Sequence, residues 1–457
     1  MTNDMTTGKP LKTILFFLIP MLIGGIFQQF YNITDTLIVG HVVGSRALAA
    51  VGASASTSFF LLSVVTGLTN AFAIVISQYF GAKDEKMVRK TTASAVYICV
   101  LSALALCLIG LFFSRPLMKL LQTPEDILDD AALYIQICMV FSAGQVVYNG
   151  AASILRAVGD SKTPLYFLIL STVLNVALDL LFVIVFDMAV RGVAVATVIA
   201  QILSAVLCVI YMIRRFPIFR LKRSDWKLDL PNLLEILKIG SSMSLQSILL
   251  SVGDMTINAV INSYGTNVIA AYTAGLRVQQ FASLSSFNLA QAFAVYAGQN
   301  LGARKFSRIR HGMRQATFLC LGITLLSTVI VFLFGDNITR CFISSSDPYL
   351  EEIVIYSRGF LRTTSLFYPF LGLIWLYNNA LRGMGDIVVP FLSSMIELTV
   401  KVGLSLLFSF WFGYLGVWWA NPIAWALGLV PSLIRYYRRR WMALADRFAP
   451  IDPDTAE

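Results

Sequence analysis

Hydrophobic positions along the chain gather into long runs separated by short polar stretches. The runs span approximately residues 11–39, 47–80, 90–113, 128–155, 164–186, 192–213, 233–262, 267–301, 312–334, 350–380, 388–412 and 416–437. Each is long enough for a helix to cross a bilayer, which takes about 20 residues. The pattern predicts an all-α polytopic membrane protein with twelve transmembrane helices. The longest stretch without an apolar run is RRFPIFRLKRSDWKLDLP, residues 214–231. It is basic, holds two prolines and reads as a cytoplasmic linker. It divides the chain into an N-lobe at 1–213 (spans 1–6) and a C-lobe at 232–437 (spans 7–12), with a tail at 438–457.

The halves repeat. LIVGHVVGSRALAAV at residues 37–51 aligns with NAVINSYGTNVIAAY at 258–272, an offset of 221. The same offset pairs Gln78 and Gly81-Ala82-Lys83 with Gln299 and Gly302-Ala303-Arg304. At an offset of 226, Leu155-Arg156-Ala157-Val158-Gly159-Asp160 matches Leu381-Arg382-Gly383-Met384-Gly385-Asp386, and Pro164 matches Pro390. Three matches in order indicate duplication. An even number of spans per half makes the copies parallel repeats, two pseudo-symmetric six-helix lobes able to rock and expose a central cavity to alternate sides.

Composition agrees with a membrane protein: 57% of the 457 residues are hydrophobic and 13% charged, against about a quarter charged in soluble domains. The net charge of +10 could suggest nucleic acid, but the basic residues cluster in alternate short loops while acids fill the others. That is positive-inside bias; it predicts a multi-pass protein of the bacterial cytoplasmic membrane with both termini in the cytoplasm and no nucleic-acid partner. No cleavable signal peptide is evident. The six cysteines form no CxxC and read as small hydrophobes. With only His41 and His311 present, a histidine-based zinc site is not expected. Without GxxxxGK[ST], HExxH or GxSxG, the chain carries no signature of direct ATP use or hydrolytic catalysis.

Polar residues inside the spans are the candidates for function, because each is costly there. Gln28, Asn32 and Asp35 fall at i, i+4 and i+7 on span 1, flanked by Tyr31, and form one face. Asp35 is the first suspect; its bland reading is an end cap, since Gly40 soon closes the run. Asn175 and Asp179 on span 5 are i, i+4, with Thr172 on the same side, and Thr197 lies on span 6. Two carboxylates sharing a buried site cannot both stay ionised cheaply, which makes a proton-loadable site; the same oxygens could take Na⁺. Helix-to-helix glue is the alternative for Asn175 and Thr197. The second half holds a secondary polar network of Asp254, Arg277, Glu397 and Lys401. Glu397 and Lys401, at i, i+4, read as a neutralising pair, with Arg277 expected to pair with Asp254 or Glu397. Pro20 within span 1 is a candidate hinge, and Pro369 and Pro431 mark further bends. Trp411, Trp418 and Trp419 read as interface anchors.

YNxxDxxxVG at residues 31–40, QxxGA at 78–82 with QNLGA at 299–303, and LRxxGD twice together resemble the multidrug and toxic compound extrusion (MATE) transporters, nearest their DinF-like and MepA-like branch. The resemblance implies a MATE/MOP flippase-type fold and a secondary antiporter. It would export small organic, often cationic compounds in exchange for H⁺ or Na⁺, with no other cofactor. It also implies a cation-coupling set at Asp35, Asn175, Asp179 and Thr197, with Asn149 as the nearest match to a further asparagine, and a hinge at Pro20. The branch with an acid on span 10 is not matched, since that region reads Tyr368-Pro369-Phe370-Leu371-Gly372. The alternatives are a flippase for a lipid-linked precursor and a membrane-embedded enzyme. Few basic residues lie within the spans, Lys238, Arg277 and Lys401 among them, which disfavours an anionic headgroup, and no catalytic group is recognisable. The protein is expected to work as a monomer among membrane lipids.

Overall fold

The computed structural model describes residues 4–39, 44–343 and 348–448, without the side chains of residues 32, 33, 35–37, 45, 48, 55 and 56. Fourteen α-helices follow one another: α1 Pro10–Ile38, α2 Ser45–Gly81, α3 Glu85–Leu120, α4 Glu125–Val140, α5 Ala143–Ala157, α6 Lys162–Leu180, α7 Ala189–Arg215, α8 Leu230–Asn262, α9 Thr266–Gly302, α10 Phe306–Arg340, α11 Leu350–Ser365, α12 Tyr368–Gly383, α13 Val388–Phe412 and α14 Tyr414–Tyr437. Among the described residues, nine helices are long and apolar enough to cross a membrane, and α4 with α5, bent by 47°, make a tenth span. Helix α9 has the length, but Arg277 and its glutamines and asparagines dilute its apolarity; α11 and α12, 16 residues each, complete the twelve. Large apolar side chains lie bare on the outside, Phe112 at 68%, Leu333 at 68% and Phe410 at 85% exposure. Lipid, not water, is the solvent that tolerates them.

Two of the expected single spans are broken. Span 4 is interrupted at Phe141–Ser142, between α4 and α5. Span 10 is interrupted between Ser365 and Tyr368, where Pro369 sits in the first turn of α12. A proline there loses no helical hydrogen bond and cannot continue the preceding helix.

The duplicated strings turn out to be duplicated turns. Gly159 and Gly385 take φ of 84° and 86°, a left-handed geometry that glycine adopts freely. In both copies the aspartate amide reaches back across the turn, Asp160 N to Leu155 O at 3.0 Å and Asp386 N to Leu381 O at 2.9 Å. The same aspartates cap the next helix: Asp160 Oδ1 accepts from Thr163 N at 3.0 Å and Asp386 Oδ1 from Val389 N at 3.3 Å. The QxxGA copies also match, with Lys83 and Arg304 at φ of 57° and 54°. Ala82 N and Ala303 N each bond the glutamine carbonyl four residues back, at 3.0 Å.

The chain forms two compact units. The first contains Phe16–Ser244, with α6 packed on α7 and α2 on α5; the second contains Met5–Leu15 and the chain from Leu245 onward, with α13 on α14 and α9 on α12. Within the second unit, Met5–Gly8 is fastened to the turn between α9 and α10. Met5 N donates to Gln299 Oε1 at 2.9 Å, and Asn300 Nδ2 donates to Met5 O at 3.1 Å. Lys305 Nζ reaches Thr6 O at 2.9 Å, and Arg308 Nη2 donates to Met5 O and Thr7 O at 3.1 and 2.9 Å.

Trp418 is not an interface anchor. It is 1% exposed, stacked on Tyr272 at 5.7 Å with the planes 10° apart, and meets Phe360 edge-on at 5.2 Å. Its neighbours Trp411 and Trp419 are exposed, at 61% and 43%. Adjacent positions on a helix face different ways, so a tryptophan cluster in the sequence splits between core and surface.

Candidate functional site

The site lies in the first unit, between α6 and α7. Asn175 and Asp179, one turn apart on α6, are 1% and 0% exposed. Thr197 on α7 is half-buried, and its Oγ1 accepts from Asn175 Nδ2 at 3.3 Å. That bond fixes the amide, turning Asn175 Oδ1 away. This oxygen is buried with no hydrogen-bond partner among the described residues. A buried carbonyl oxygen left so costs about 1–3 kcal/mol, a cost that a bound cation or proton donor would remove.

A polar seam leads to these residues. Thr172, Asn175 and Asp179 follow one face of α6, and Gln201 and Thr197 follow one face of α7 at i, i+4. The seam opens into a cavity of about 60 Å³. Gln28 and Tyr31 of α1, Gln145 and Asn149 of α5, Ser171 of α6 and Gln201 of α7 line it. At 1.5 Å per residue, Thr172 in the cavity wall stands about 10 Å above Asp179 along the helix. The other end is apolar among the described residues. Val39, Val183, Val190 and Val193 form a buried apolar cluster, and Val183 lies one turn beyond Asp179. Between the cavity and the apolar cluster, the facing residues of α6 and α7 are polar down to Asp179.

Immediately after Asp179 the helix changes winding, with residues Leu181–Val185 forming a π-helical turn. Such turns are uncommon and concentrate at functional sites. Nothing in LFVIV signals it.

The predicted residues therefore divide. Asn175 and Thr197 are bonded to each other, Asp179 is buried one turn away, and Gln28, Tyr31 and Asn149 share the cavity. Asp35 and Asn32 stand on α1, but their side chains lie outside the described residues, as does His41. Pro20 is buried inside an unbroken α1. Gln145, Ser171 and Gln201 were missed; their signal was the i, i+3 and i, i+4 spacing of polar residues on α5, α6 and α7.

In the second unit the pairing differs from expectation. Lys401 Nζ bonds Asp254 Oδ1 across α13 and α8, not its helical neighbour Glu397. Glu397 is buried at 3% exposure. Arg277 is exposed and among the described residues makes no ion pair with Asp254 or Glu397. Local i, i+4 spacing could not anticipate a partner 147 residues away.

Comparison with known proteins gives a consistent result. The MatE family profile matches residues 20–181 and 243–406. The chain is 29% identical over 446 residues to "Probable multidrug resistance protein YpnP" of Bacillus subtilis, covering 96% of this chain and 98% of that protein. It is 23% identical to "Multidrug export protein MepA" of Staphylococcus saprophyticus, covering 95% of each. A solved outward-facing conformation of a multidrug resistance MATE family transporter of the MOP superfamily superposes with a TM-score of 0.89 at 21% identity, covering 97% of this chain and 98% of that one. The two-unit, twelve-span architecture and the matched profile place this chain in the MatE family, so it is a multi-pass membrane transporter and not an enzyme.

Proposed function

We propose that the protein is a cation-coupled multidrug exporter of the bacterial cytoplasmic membrane, with both termini in the cytoplasm. It exchanges organic, often cationic substrates for H⁺ or Na⁺ through alternating access of the halves 1–213 and 232–437. The observation that carries this reading is the α6–α7 seam: a polar track that starts at a cavity, passes an orphaned amide oxygen and ends at a buried aspartate backed by valines. Asp179, Asn175 and Thr197 form the cation site together with Asp35, which on α1 follows the cavity residue Tyr31 by one turn and Gln28 by two; Asn32 joins the substrate face on the same helix. Asn149 serves the cavity end. Oxygen donors of this kind suit either a proton or Na⁺, and the seal of valines keeps the site dry, so that its charge is sensed by the surrounding helices. Pro20 is the place where α1 yields when that charge changes.

Protein reconstituted in liposomes decides the matter. An imposed pH or Na⁺ gradient should drive efflux of a cationic dye by the wild type, and Asp179→Asn and Asp35→Asn should each abolish the gradient-driven part. Normal coupled transport in both variants would reject the site. A response to Na⁺ at constant pH identifies Na⁺ as the coupling ion; a response to pH without Na⁺ identifies the proton.

A further inference from the structure

A second cavity, about 440 Å³, lies in the second unit, where α10, α12 and α14 meet the turn Arg440–Ala445. Three guanidinium groups line it, Arg310 and Arg314 from α10 and Arg439 from the end of α14. Arg310 and Arg314 are i, i+4 and so share a face. All three are exposed, and none has a carboxylate within ion-pair distance among the described residues. Some arginines of this unit are paired, Arg340 with Glu351, Arg358 with Asp336 and Arg435 with Asp386; others, such as Arg277 and Arg362, are not paired among the described residues, but they do not converge on this cavity. Three unneutralised cations around one cavity repel one another unless an anion enters.

The wall beneath them is aromatic and fixed. Trp441 is fully buried, stacks on Tyr436 at 5.9 Å and donates from Nε1 to Tyr436 O at 3.0 Å. Tyr377 and Tyr437 are joined through their hydroxyls at 3.3 Å. Arg439 itself is held at φ of 56°, a left-handed conformation that a non-glycine residue adopts at a cost. The cavity is thus preformed.

The cavity sits where α10 passes from charge to hydrocarbon. Arg314 lies over the ring of Phe318 at 5.9 Å. From Phe318, at 64% exposure, an apolar stripe continues down the same face through Leu325, Val329 and Leu333, at 55%, 52% and 68%. Basic above and apolar below is the profile of a phosphate group carrying acyl chains. A basic pocket between helices at this depth is suited to anionic headgroups, and free phosphate would leave the stripe unused.

We propose that this cavity binds the phosphate of an anionic phospholipid, with its chains along the Phe318–Leu333 stripe of α10. On the orientation expected from the basic loops, the lipid belongs to the cytoplasmic leaflet. The test is native mass spectrometry of the whole protein in neutral detergent, titrated with phosphatidylglycerol and separately with phosphatidylcholine. The wild type should retain phosphatidylglycerol preferentially. R310Q/R314Q/R439Q should weaken that preference by roughly tenfold or more. K86Q/R223Q/K227Q removes three exposed charges elsewhere and should leave it within about twofold, because none of the three lines this cavity. Equal retention of the two lipids by the wild type, or equal losses in both triple variants, would overturn the proposal. Millimolar inorganic phosphate should not displace the lipid; complete displacement would assign the cavity to the free ion and refute the lipid.

Discussion

Helices α6 and α13 are copies of one ancestral helix, and they carry charges of opposite sign one turn apart. Positions 226 residues after Asn175 and Asp179 are Lys401 and Ser405. In the first unit the helix presents a buried aspartate and an amide with an unmet oxygen. In the second, the lysine is neutralised by Asp254, and Ser405 donates to Lys401 O at 2.6 Å. Helices α1 and α8 diverge in the same sense, with Thr256 standing opposite Asp35 and Ser241 opposite Pro20 in the repeat; the Thr256 hydroxyl folds back on Val252 O at 2.9 Å. Duplication preserved the turns and the packing while the buried chemistry parted. One copy carries its cation covalently, and the other, on the proposed reading, takes its cation from solution.

The sharpest way to break this comparison is to make the first copy like the second. Asn175→Lys places an ammonium group next to Asp179. A tethered cation has an effective concentration in the millimolar range or above, so gradient-driven efflux should fall by roughly a hundredfold while the protein still folds. Efflux at wild-type rates in liposomes would show that the seam does not carry the coupling ion.

The converse change acts on stability. Asp254→Asn leaves Lys401, whose side chain is 6% exposed, without its partner. The variant should lose about 2–4 kcal/mol, read as a lower unfolding temperature in detergent. Asp254→Asn with Lys401→Met should recover part of that loss, because the apolar replacement removes the buried ammonium but leaves Glu397, 3% exposed one turn away, without its cation. Ion coupling should survive in both. A coupling defect in the double variant would mean that the second copy also takes part in exchange.

Thr197→Val tests the bond that orients Asn175. It removes one hydrogen bond of about 0.5–1.5 kcal/mol, and the ion concentration giving half-maximal efflux should rise a few-fold with the maximal rate unchanged. An unchanged ion dependence would assign Thr197 to packing alone.

The smallest effect is expected where water reaches an ion pair. Lys90 and Asp229 bond at 2.9 Å at the start of α8, and Lys90→Met should cost no more than about 1 kcal/mol. The hydrogen bond from Lys90, helped by that from the Asn232 amide, holds the Asp229 carboxyl below its usual value. Its contribution is therefore complete above the ordinary carboxylate range and disappears as pH falls through the lowered value. The difference in stability between wild type and Lys90→Met should close under strong acid and stay constant at neutral pH. A loss as large as that of Asp254→Asn would erase the distinction between an ion pair at the helix ends and one with a buried lysine.

Much of this was legible in the amino-acid order. Apolar run length reveals helices because a bilayer demands it, and the i, i+4 spacing of Asn175 and Asp179 reveals a shared face. The repeat was readable because turns constrain backbone angles that few residues satisfy, as at Gly159 and Gly385. What escaped depended on partners remote in sequence or on backbone detail. Lys401 has a carboxylate four residues away and yet bonds one on another helix. Trp418 and Trp419 are neighbours with opposite fates. The break at Phe141–Ser142 and the π-helical turn after Asp179 fall where the residues carry no local mark such as proline or glycine.

The fastening of Met5–Gly8 has a consequence for how the protein is made. Its partners lie 294 to 303 residues further along the chain. At translation rates of about 5–20 residues per second, that separation corresponds to roughly 15–60 s. During this interval α1 is already available for insertion, while the segment ahead of it waits for the loop between α9 and α10 to emerge. The second unit is therefore closed by residues synthesised long before it. A bulky tag joined directly ahead of Met5 would burden the assembly of the distant half rather than the near one.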